Sequence, residues 1–286
     1  MARTVRLISS ARTQERLGNL VAHAILIAGA ATMVLPFLWM LSTALKTSEE
    51  TFLYPPTLIP RTITFQNFAR AWRAAPFGRY FANSTIVALT ITISQAFFCS
   101  LAGFVFAKFR FWGREVLFTL ILAKLMIPVQ VLIVPLYLLI IRLHLKDTLQ
   151  GIILPDLMGA FGIFMLRQFI VSLPDELMDS ARLDGCSDLG IYRRIILPLI
   201  GPALATFAII TFMGAWNDFL WPLIVISTPE KRTLPVGLAV FADRYVTSYN
   251  LSMAGTLIVL VPMVLVFAVF QRQIIQSVAR SGLREG

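Results

Sequence analysis

Long apolar runs recur along the chain and are separated by shorter polar segments. Six runs are each long enough to cross a hydrocarbon core of about 30 Å as a helix, which takes about 20 residues. Backbone groups in lipid must hydrogen-bond within their own segment, and barrel strands would be shorter and alternating, so helices are favoured over strands. The pattern predicts an all-α, polytopic membrane protein whose six transmembrane helices cover approximately residues 20–45, 81–107, 116–141, 151–171, 200–227 and 251–270.

Composition agrees with this prediction. Hydrophobic residues make up 57% of the chain and charged residues only 14%, whereas soluble domains are about 25% charged. The net charge is +10, but the basic residues flank apolar runs and no basic patch is interleaved with aromatics, which argues against nucleic-acid binding. Two cysteines, Cys99 and Cys186, indicate neither a disulfide framework nor a metal site.

Basic residues near the first spans predict the orientation of the chain. The N-terminal segment runs into the first apolar stretch without a small-residue cleavage site, so we expect an uncleaved start helix. The positive-inside rule counts short tails and loops most strongly. With six spans, it predicts cytoplasmic N- and C-termini from the basic residues of the shortest segments: Arg3, Arg6, Arg12, Arg16, Lys108, Arg110 and Arg114.

The predicted organisation has three parts. Residues 1–79 hold the cytoplasmic tail, the first span and an outer loop. Residues 80–271 form a five-helix transmembrane domain, and residues 272–286 form a cytoplasmic tail. The outer loop contains the stretch YPPTLIP, whose prolines predict an ordered, extended segment.

The polar segment after the fourth span, residues 172–202, is longer than a simple connector. Pro174 suits a first helical turn, and Asp175 and Glu176 suit a helix N-terminus. Gly185 suits a helix stop, and a second helix can begin after Ser187. Apolar and small residues follow one helical stripe: Leu173, Leu177, Met178, Ala181 and Gly185. The physics alone predicts a helix–turn–helix at the membrane surface, and its other face either meets a protein or lies at the interface without a partner.

The same segment resembles the EAA loop of ABC-importer permeases, with the pattern P-x-E-L-x-E-A-A-x-x-D-G-A followed by I-x-L-P. The matching positions are Pro174, Glu176, Leu177, Asp179, Ser180, Ala181, Asp184, Gly185, Cys186, Ile195, Leu197 and Pro198. Three positions depart from the pattern. Asp179 replaces Glu and keeps the charge, while Ser180 and Cys186 replace alanines and stay small. The resemblance implies that this loop couples the spans to an ATPase.

Other stretches extend the resemblance to carbohydrate permeases similar to the smaller membrane subunit of the maltose importer. They include RYFANSTIVA, AWNDFLWPLIV and the C-terminal FQRQIIQSVARSGLREG. The resemblance implies a type I importer fold in a bacterial inner membrane, an ATPase subunit dimer, a second homologous permease, an extracytoplasmic solute-binding protein and a sugar substrate. The chain lacks G-x-x-x-x-G-K-[ST], so we expect ATP to bind the ATPase subunit, with no catalytic residue, cofactor or metal here.

Polar residues within or beside the spans are candidates for the substrate path. Asp218 should face protein or water because a charge at mid-membrane costs about 2.5–3.5 kcal/mol. Together with nearby indole and amide groups it could bind a sugar; these residues are Asn83, Trp216, Asn217 and Trp221. The alternatives are an interfacial aromatic belt, pairing of Asp218 with another helix, and an inter-helix hydrogen bond from Asn83. Lys124 could pair with Asp156.

The sequence therefore predicts a non-enzymatic permease subunit of an ATP-driven sugar importer. The alternatives are an ABC importer for peptides, amino acids or a polyol phosphate, and an ion-driven secondary transporter. An ion-driven carrier would have no partner for the EAA loop.

Overall fold

The computed structural model describes residues 2–261, 264, 265 and 268, with side chains from residue 18 onward. These residues form helices and connecting turns, and no strand occurs among them. The helices are Ala2–Leu45 (α1), Ser48–Thr51 (α2), Gln66–Ala74 (α3), Phe77–Lys108 (α4), Arg114–Leu125 (α5), Val129–Arg142 (α6), Leu149–Ile153 (α7), Ala160–Val171 (α8), Glu176–Leu183 (α9), Asp188–Leu199 (α10), Gly201–Asn217 (α11), Leu220–Val225 (α12), Leu234–Arg244 (α13) and Tyr249–Val261 (α14).

Two of these helices are long and apolar enough to cross a membrane unbroken, namely Gly18–Leu45 within α1 and the whole of α4. Three pairs of bent helices also pass the test for length and hydropathy, so the described residues contain up to five spans when each pair is counted as one span. The bends are 103° between α5 and α6, 41° between Leu149–Asp156 and α8, and 78° between α10 and α11. The all-α polytopic prediction is confirmed. The first part of the sixth predicted span is α14, and the rest lies largely outside the described residues, as does the predicted tail 272–286.

Some of the bends occur at prolines, but not every proline in a span produces a bend. Pro128 precedes α6 at the sharpest bend, and Pro202 lies in the first turn of α11, where a missing N–H costs no intrahelical bond. Pro135 lies inside α6 without ending it. The fifth predicted span, expected to be continuous over 200–227, is instead interrupted at Asp218 and Phe219.

The chain divides into two compact units. The first contains the chain up to Ala74 together with Ala242–Ile258. Its centre is a buried amide pair: the Asn67 side-chain amide donates to the carbonyls of Ala44 and Lys46 at 2.7 and 2.8 Å, and Asn250 donates to Asn67 Oδ1 at 3.1 Å. These bonds tie α1, α3 and α14 together.

The loop between α1 and α3, predicted to be extended, instead contains α2 and closes on itself through side-chain hydrogen bonds. The Glu50 carboxylate accepts from the backbone N–H of Arg61 at 2.7 Å, and the Lys46 ammonium donates to the carbonyl of Thr57. The Arg61 N–H is the main cause that lowers the pKa of Glu50 below its ordinary value. Glu50 therefore remains ionised and holds the loop closed on itself.

The second unit contains Ala75–Phe241 and the chain from Val259. Helix α4 lies at its centre and packs against α8 and α11. Small residues allow this close approach: a Cβ on Gly162 of α8 would lie 2.3 Å from the Phe207 ring of α11 and 2.9 Å from Cys99 Sγ of α4. The core between the helices includes Phe104, Leu166, Ile170, Tyr192, Ile196 and Phe207.

Candidate functional site

Helices α9 and α10 form the helix–turn–helix that the sequence predicted. Gly185 adopts φ +79°, a conformation that suits glycine. Its N–H donates to the carbonyl of Arg182 at 3.0 Å, and the Cys186 N–H donates to Ala181 at 2.9 Å. These two bonds define a Schellman C-cap. Ser187 then caps α10 by accepting from the Gly190 N–H at 3.2 Å, so local sequence signals determine both ends of the turn.

One face of α9 is buried and the other is exposed. Met178 and Ala181 lie in the core of the second unit, as the predicted stripe requires. Leu177 and Gly185 were also predicted to lie on this stripe, but both are exposed, because the true buried face is narrower. Pro174 precedes the helix instead of lying in its first turn. The exposed face carries Glu176, Asp179, Ser180, Leu183, Asp184 and Gly185.

The three departures from the EAA pattern fit this geometry. Asp179 lies 3.7 Å from the Arg182 guanidinium, which also contacts Asp188 of α10 at 3.2 Å. The Ser180 hydroxyl donates to the Glu176 carbonyl at 2.9 Å, so it is satisfied within its own helix. Cys186 packs partly buried against the core. None of the three substitutions adds bulk to the exposed face.

Helix α10 widens before its proline. The turn Tyr192–Ile196 has π-helical hydrogen bonding and comes directly before Leu197 and Pro198. A proline cannot donate to the carbonyl four residues back and clashes with it, and a π-type turn relieves that conflict. Ile195 and Leu197 are half-buried against the core. The I-x-L-P part of the motif thus shapes the junction with α11.

Two contacts that the sequence did not predict attach this loop to α4. The Lys108 ammonium donates to Asp175 Oδ1 at 2.5 Å and to the Leu173 carbonyl at 2.6 Å. The Ser100 and Tyr192 hydroxyls are buried and lie 2.7 Å apart. Lys108 is the main cause that lowers the pKa of Asp175, so that carboxylate stays ionised. Sequence reasoning took Lys108 only as a basic flank of a span.

Asn83 does not fit the substrate-path prediction. Its side-chain amide donates to the carbonyls of Glu230 and Arg232 at 2.9 and 3.0 Å, so both amide protons are used within the chain. The alternative of a structural hydrogen bond is the better description, because these two bonds hold the segment before α13 against the start of α4.

The two tryptophans also have structural roles. Trp216 is 4% exposed; Phe212 stacks on it and Phe81 meets it edge-on, each with a centroid distance of 5.6 Å. The Trp221 indole N–H donates to the Gly151 carbonyl at 3.2 Å. Pro155 lies four residues after Gly151 and cannot make that bond, so the indole replaces it. The prediction required an indole ring face for stacking on a sugar: the buried Trp216 ring offers none, whereas in Trp221 the hydrogen bond engages only the indole N–H.

Asn217 and Asp218 lie at the break between α11 and α12. Asn217 is exposed, and its amide donates to the Met213 carbonyl at 2.8 Å. The half-buried Asp218 has left the helical conformation, with φ −63° and ψ 123°. Lys124 and Asp156 form no ion pair in the structure; the Asp156 carbonyl instead accepts from Gln95 Nε2 at 2.7 Å.

Asp147 organises the turn between α6 and α7, a role that no sequence pattern indicated. Its carboxylate accepts from the backbone N–H groups of Ser227 and Thr228, both at 2.9 Å, from the Thr228 hydroxyl at 2.6 Å and from Lys231 at 3.1 Å. The Thr228 hydroxyl is the main cause that lowers the pKa of Asp147 well below the ordinary value. This residue therefore anchors the segment after α12.

A multi-pass, all-α membrane chain with a capped amphipathic helix–turn–helix between spans fits a membrane permease, and the family that its sequence matches consists of transport permeases and not of enzymes. The sequence matches the binding-protein-dependent transport system inner membrane components over residues 99–280, and the chain belongs to this family. It is thus a multi-pass inner-membrane protein, in a family that works with an ATPase and a periplasmic binding protein.

Similar proteins span nearly the whole chain. The arabinooligosaccharide transport system permease AraQ of Halalkalibacterium halodurans is 38% identical over 88% of this chain and 91% of its own length. The sn-glycerol-3-phosphate transport system permease UgpE of Escherichia coli is 33% identical, with coverages of 92% and 96%. A chain in a crystal structure of a bacterial ABC transporter that imports the acidic polysaccharide alginate is 23% identical and has a TM-score of 0.80, covering 91% of this chain and 97% of that chain. This last likeness shows the fold.

Proposed function

We propose that this chain is a permease subunit of an ATP-driven importer for a sugar, and that the exposed face of α9 docks on the ATPase. ATP closes the ATPase dimer, the dimer moves α9 and α10, and the spans switch between inward and outward access. Each access state must be favoured by a ligand that binds it better. ATP and the loaded solute-binding protein are the two ligands in this mechanism.

The observation that carries the proposal is the division of α9 into two faces. Met178 and Ala181 attach the helix to the core, while Leu183, beside the Schellman turn, is 89% exposed. Exposed apolar side chains that cluster, and not single ones, are typical of a surface that a partner covers, and Leu177 and Leu189 of the same helix–turn–helix are exposed as well. Nothing lies within 4 Å of a Cβ built on Gly185, so there is room for close approach.

The remaining parts of the proposal follow from the family resemblance. A second, non-identical permease pairs with this chain around the path, and the N- and C-termini lie in the cytoplasm. Residues 80–271 act as the transporting domain. Asn217, Asp218 and the Trp221 ring remain the candidates for sugar contact within this chain, whereas Asn83 and Trp216 are withdrawn because the Asn83 amide protons and the Trp216 ring are engaged.

A sugar is favoured over the alternatives by the carbohydrate-type stretches of the sequence and by the 38% identity to an arabinooligosaccharide permease. A polyol phosphate is the alternative that the glycerol-3-phosphate permease raises. The two are separated by a binding screen of the cognate binding protein with arabino-oligosaccharides and with glycerol-3-phosphate. Binding of glycerol-3-phosphate alone would overturn the sugar assignment.

The docking surface is tested by Leu183→Arg, with Tyr54→Arg as the matched control. Both side chains are highly exposed, at 89% and 94%, but Tyr54 lies in the predicted outer loop. Leu183→Arg should abolish co-purification of the ATPase subunit and transport, without changing the thermal unfolding midpoint of the permease. Tyr54→Arg should retain ATPase capture. Equal capture by both variants would contradict the proposed docking surface.

A further inference from the structure

The side chain of Lys108, the last residue of α4, is almost fully buried. It is 5% exposed, whereas the side chain of its partner Asp175 is 78% exposed. Burying a lysine ammonium is expensive unless it is paired and hydrogen-bonded, and Lys108 meets this condition through Asp175 and the Leu173 carbonyl. The Lys108 ammonium therefore bonds to two residues of the connection between α8 and α9: Leu173 and Asp175, the residue directly before α9.

The connection is made where α9 begins. The Asp175 carbonyl accepts from the backbone N–H groups of Met178 and Asp179 at 2.9 and 3.1 Å, so this residue forms the first turn of the helix. Holding the Asp175 side chain in place therefore holds the start of α9. The contact is independent of the apolar packing of Met178.

A second contact joins the same helix to the other half of the loop. Tyr192 of α10 and Ser100 of α4 share a buried hydrogen bond of 2.7 Å. Ser100 and Lys108 are separated by about 12 Å along α4 at 1.5 Å per residue. Helix α4 is thus bonded to both helices of the loop at two separated levels.

The opposite end of α4 holds a different segment. Asn83 donates to the carbonyls of Glu230 and Arg232, and the Ser84 hydroxyl accepts from the Leu234 N–H at 2.8 Å. Tyr80 fits against Gly237 of α13, where an added Cβ would lie 2.2 Å from the ring. Ser84 and Lys108 are about 36 Å apart along α4. Among the described residues of the second unit, α4 is the helix that covers this length without a break.

We propose that Lys108 is a positioning residue for coupling: it fixes the start of α9 to α4, so that α4 moves with the loop and carries this motion to the segment around Glu230–Leu234. The proposal rests on the proposed function of the loop. Without the ammonium, α9 would keep its apolar packing and could still dock on the ATPase, but its movement would reach α4 less directly.

The test compares Lys108→Met with Lys108→Arg, which keeps the charge and donors, and with Arg110→Met, which removes an exposed charge two residues away. Hydrogen exchange is first measured on the purified membrane complex without nucleotide. Losing hydrogen bonds to a charged group should speed exchange of the Met178 and Asp179 amides about tenfold in Lys108→Met. Lys108→Arg and Arg110→Met should exchange like the unmodified protein.

ATP hydrolysis is then measured in nanodiscs, with and without binding protein loaded with an arabino-oligosaccharide. Lys108→Met should keep ATPase capture and basal hydrolysis, but the stimulation of hydrolysis by loaded binding protein should fall about tenfold. Lys108→Arg should retain this stimulation. Unchanged exchange or unchanged stimulation in Lys108→Met would overturn the inference, as would an equal loss in Arg110→Met. Failure of the unmodified permease to capture an ATPase would refute the proposed function instead, and the exchange measurement would still decide whether Lys108 holds α9.

Discussion

Replacing Asp147 by alanine should release the segment that follows α12 from the turn between α6 and α7. The carboxylate accepts two backbone N–H groups and one hydroxyl across about eighty residues of sequence. Hydrogen bonds to a charged group contribute about 1.5–3 kcal/mol each, and freed amides near the surface recover part of this from water. The half-exposed pair with Lys231 adds about 0–1 kcal/mol. We expect local opening of this segment to become easier by about 3 kcal/mol.

Hydrogen exchange of the Ser227 and Thr228 amides measures this directly. A change of about 3 kcal/mol corresponds to exchange about a hundredfold faster, since each 1.4 kcal/mol is a factor of ten. Asp147 also has φ 59°, which alanine adopts less readily than asparagine. Asp147→Asn should therefore have a smaller effect. Lys146→Ala is the control, because it shortens the neighbouring exposed side chain and removes no acceptor.

The pH dependence follows from the lowered pKa of Asp147. The contribution of this carboxylate to stability is complete above the ordinary Asp pKa of about 3.9. It is lost only as the pH falls through the lower native pKa. The ratio of exchange rates between Asp147→Ala and the unmodified protein should therefore be constant from about pH 5 to about pH 8. Equal exchange of Ser227 and Thr228 in both proteins would refute the assigned role.

Two further substitutions test the packing and the path. Gly162→Ala places a methyl group 2.3 Å from the Phe207 ring and should destabilise the protein by about 1–3 kcal/mol. Gly214→Ala, which meets nothing within 4 Å, should leave the thermal unfolding midpoint in detergent unchanged, and equal midpoints for the two variants would contradict the tight contact. Asp218→Asn should lower sugar uptake about tenfold if the carboxylate contacts substrate. The buried Trp216→Phe should transport normally, and unchanged uptake in Asp218→Asn would remove Asp218 from the path.

The elements predicted well are those that local sequence specifies. Gly185 and Ser187 determine the turn between α9 and α10 within a few residues, and periodic apolar positions determine the spans. The roles predicted poorly depend on contacts between distant segments. Asn83 bonds to a carbonyl 147 residues away, and Lys108 bonds to a carboxylate 67 residues away. A lysine at the end of an apolar run has the same sequence signature whether it faces water or is buried in an ion pair.

The helix breaks explain why the polar residues of the spans could not be assigned from their type alone. A break at membrane depth leaves carbonyls without their helical donors, and such backbone is tolerated only against protein or a water-filled cavity. Gln95 and Trp221 supply donors to two of these carbonyls, those of Asp156 and Gly151. At the break between α11 and α12, the exposed Asn217 amide donates to the Met213 carbonyl within its own helix. The exposed Asn217 side chain beside this break supports the proposal that a second permease and the substrate path lie against this side of the second unit, while unbroken α4 connects the coupling loop to the opposite end of the spans.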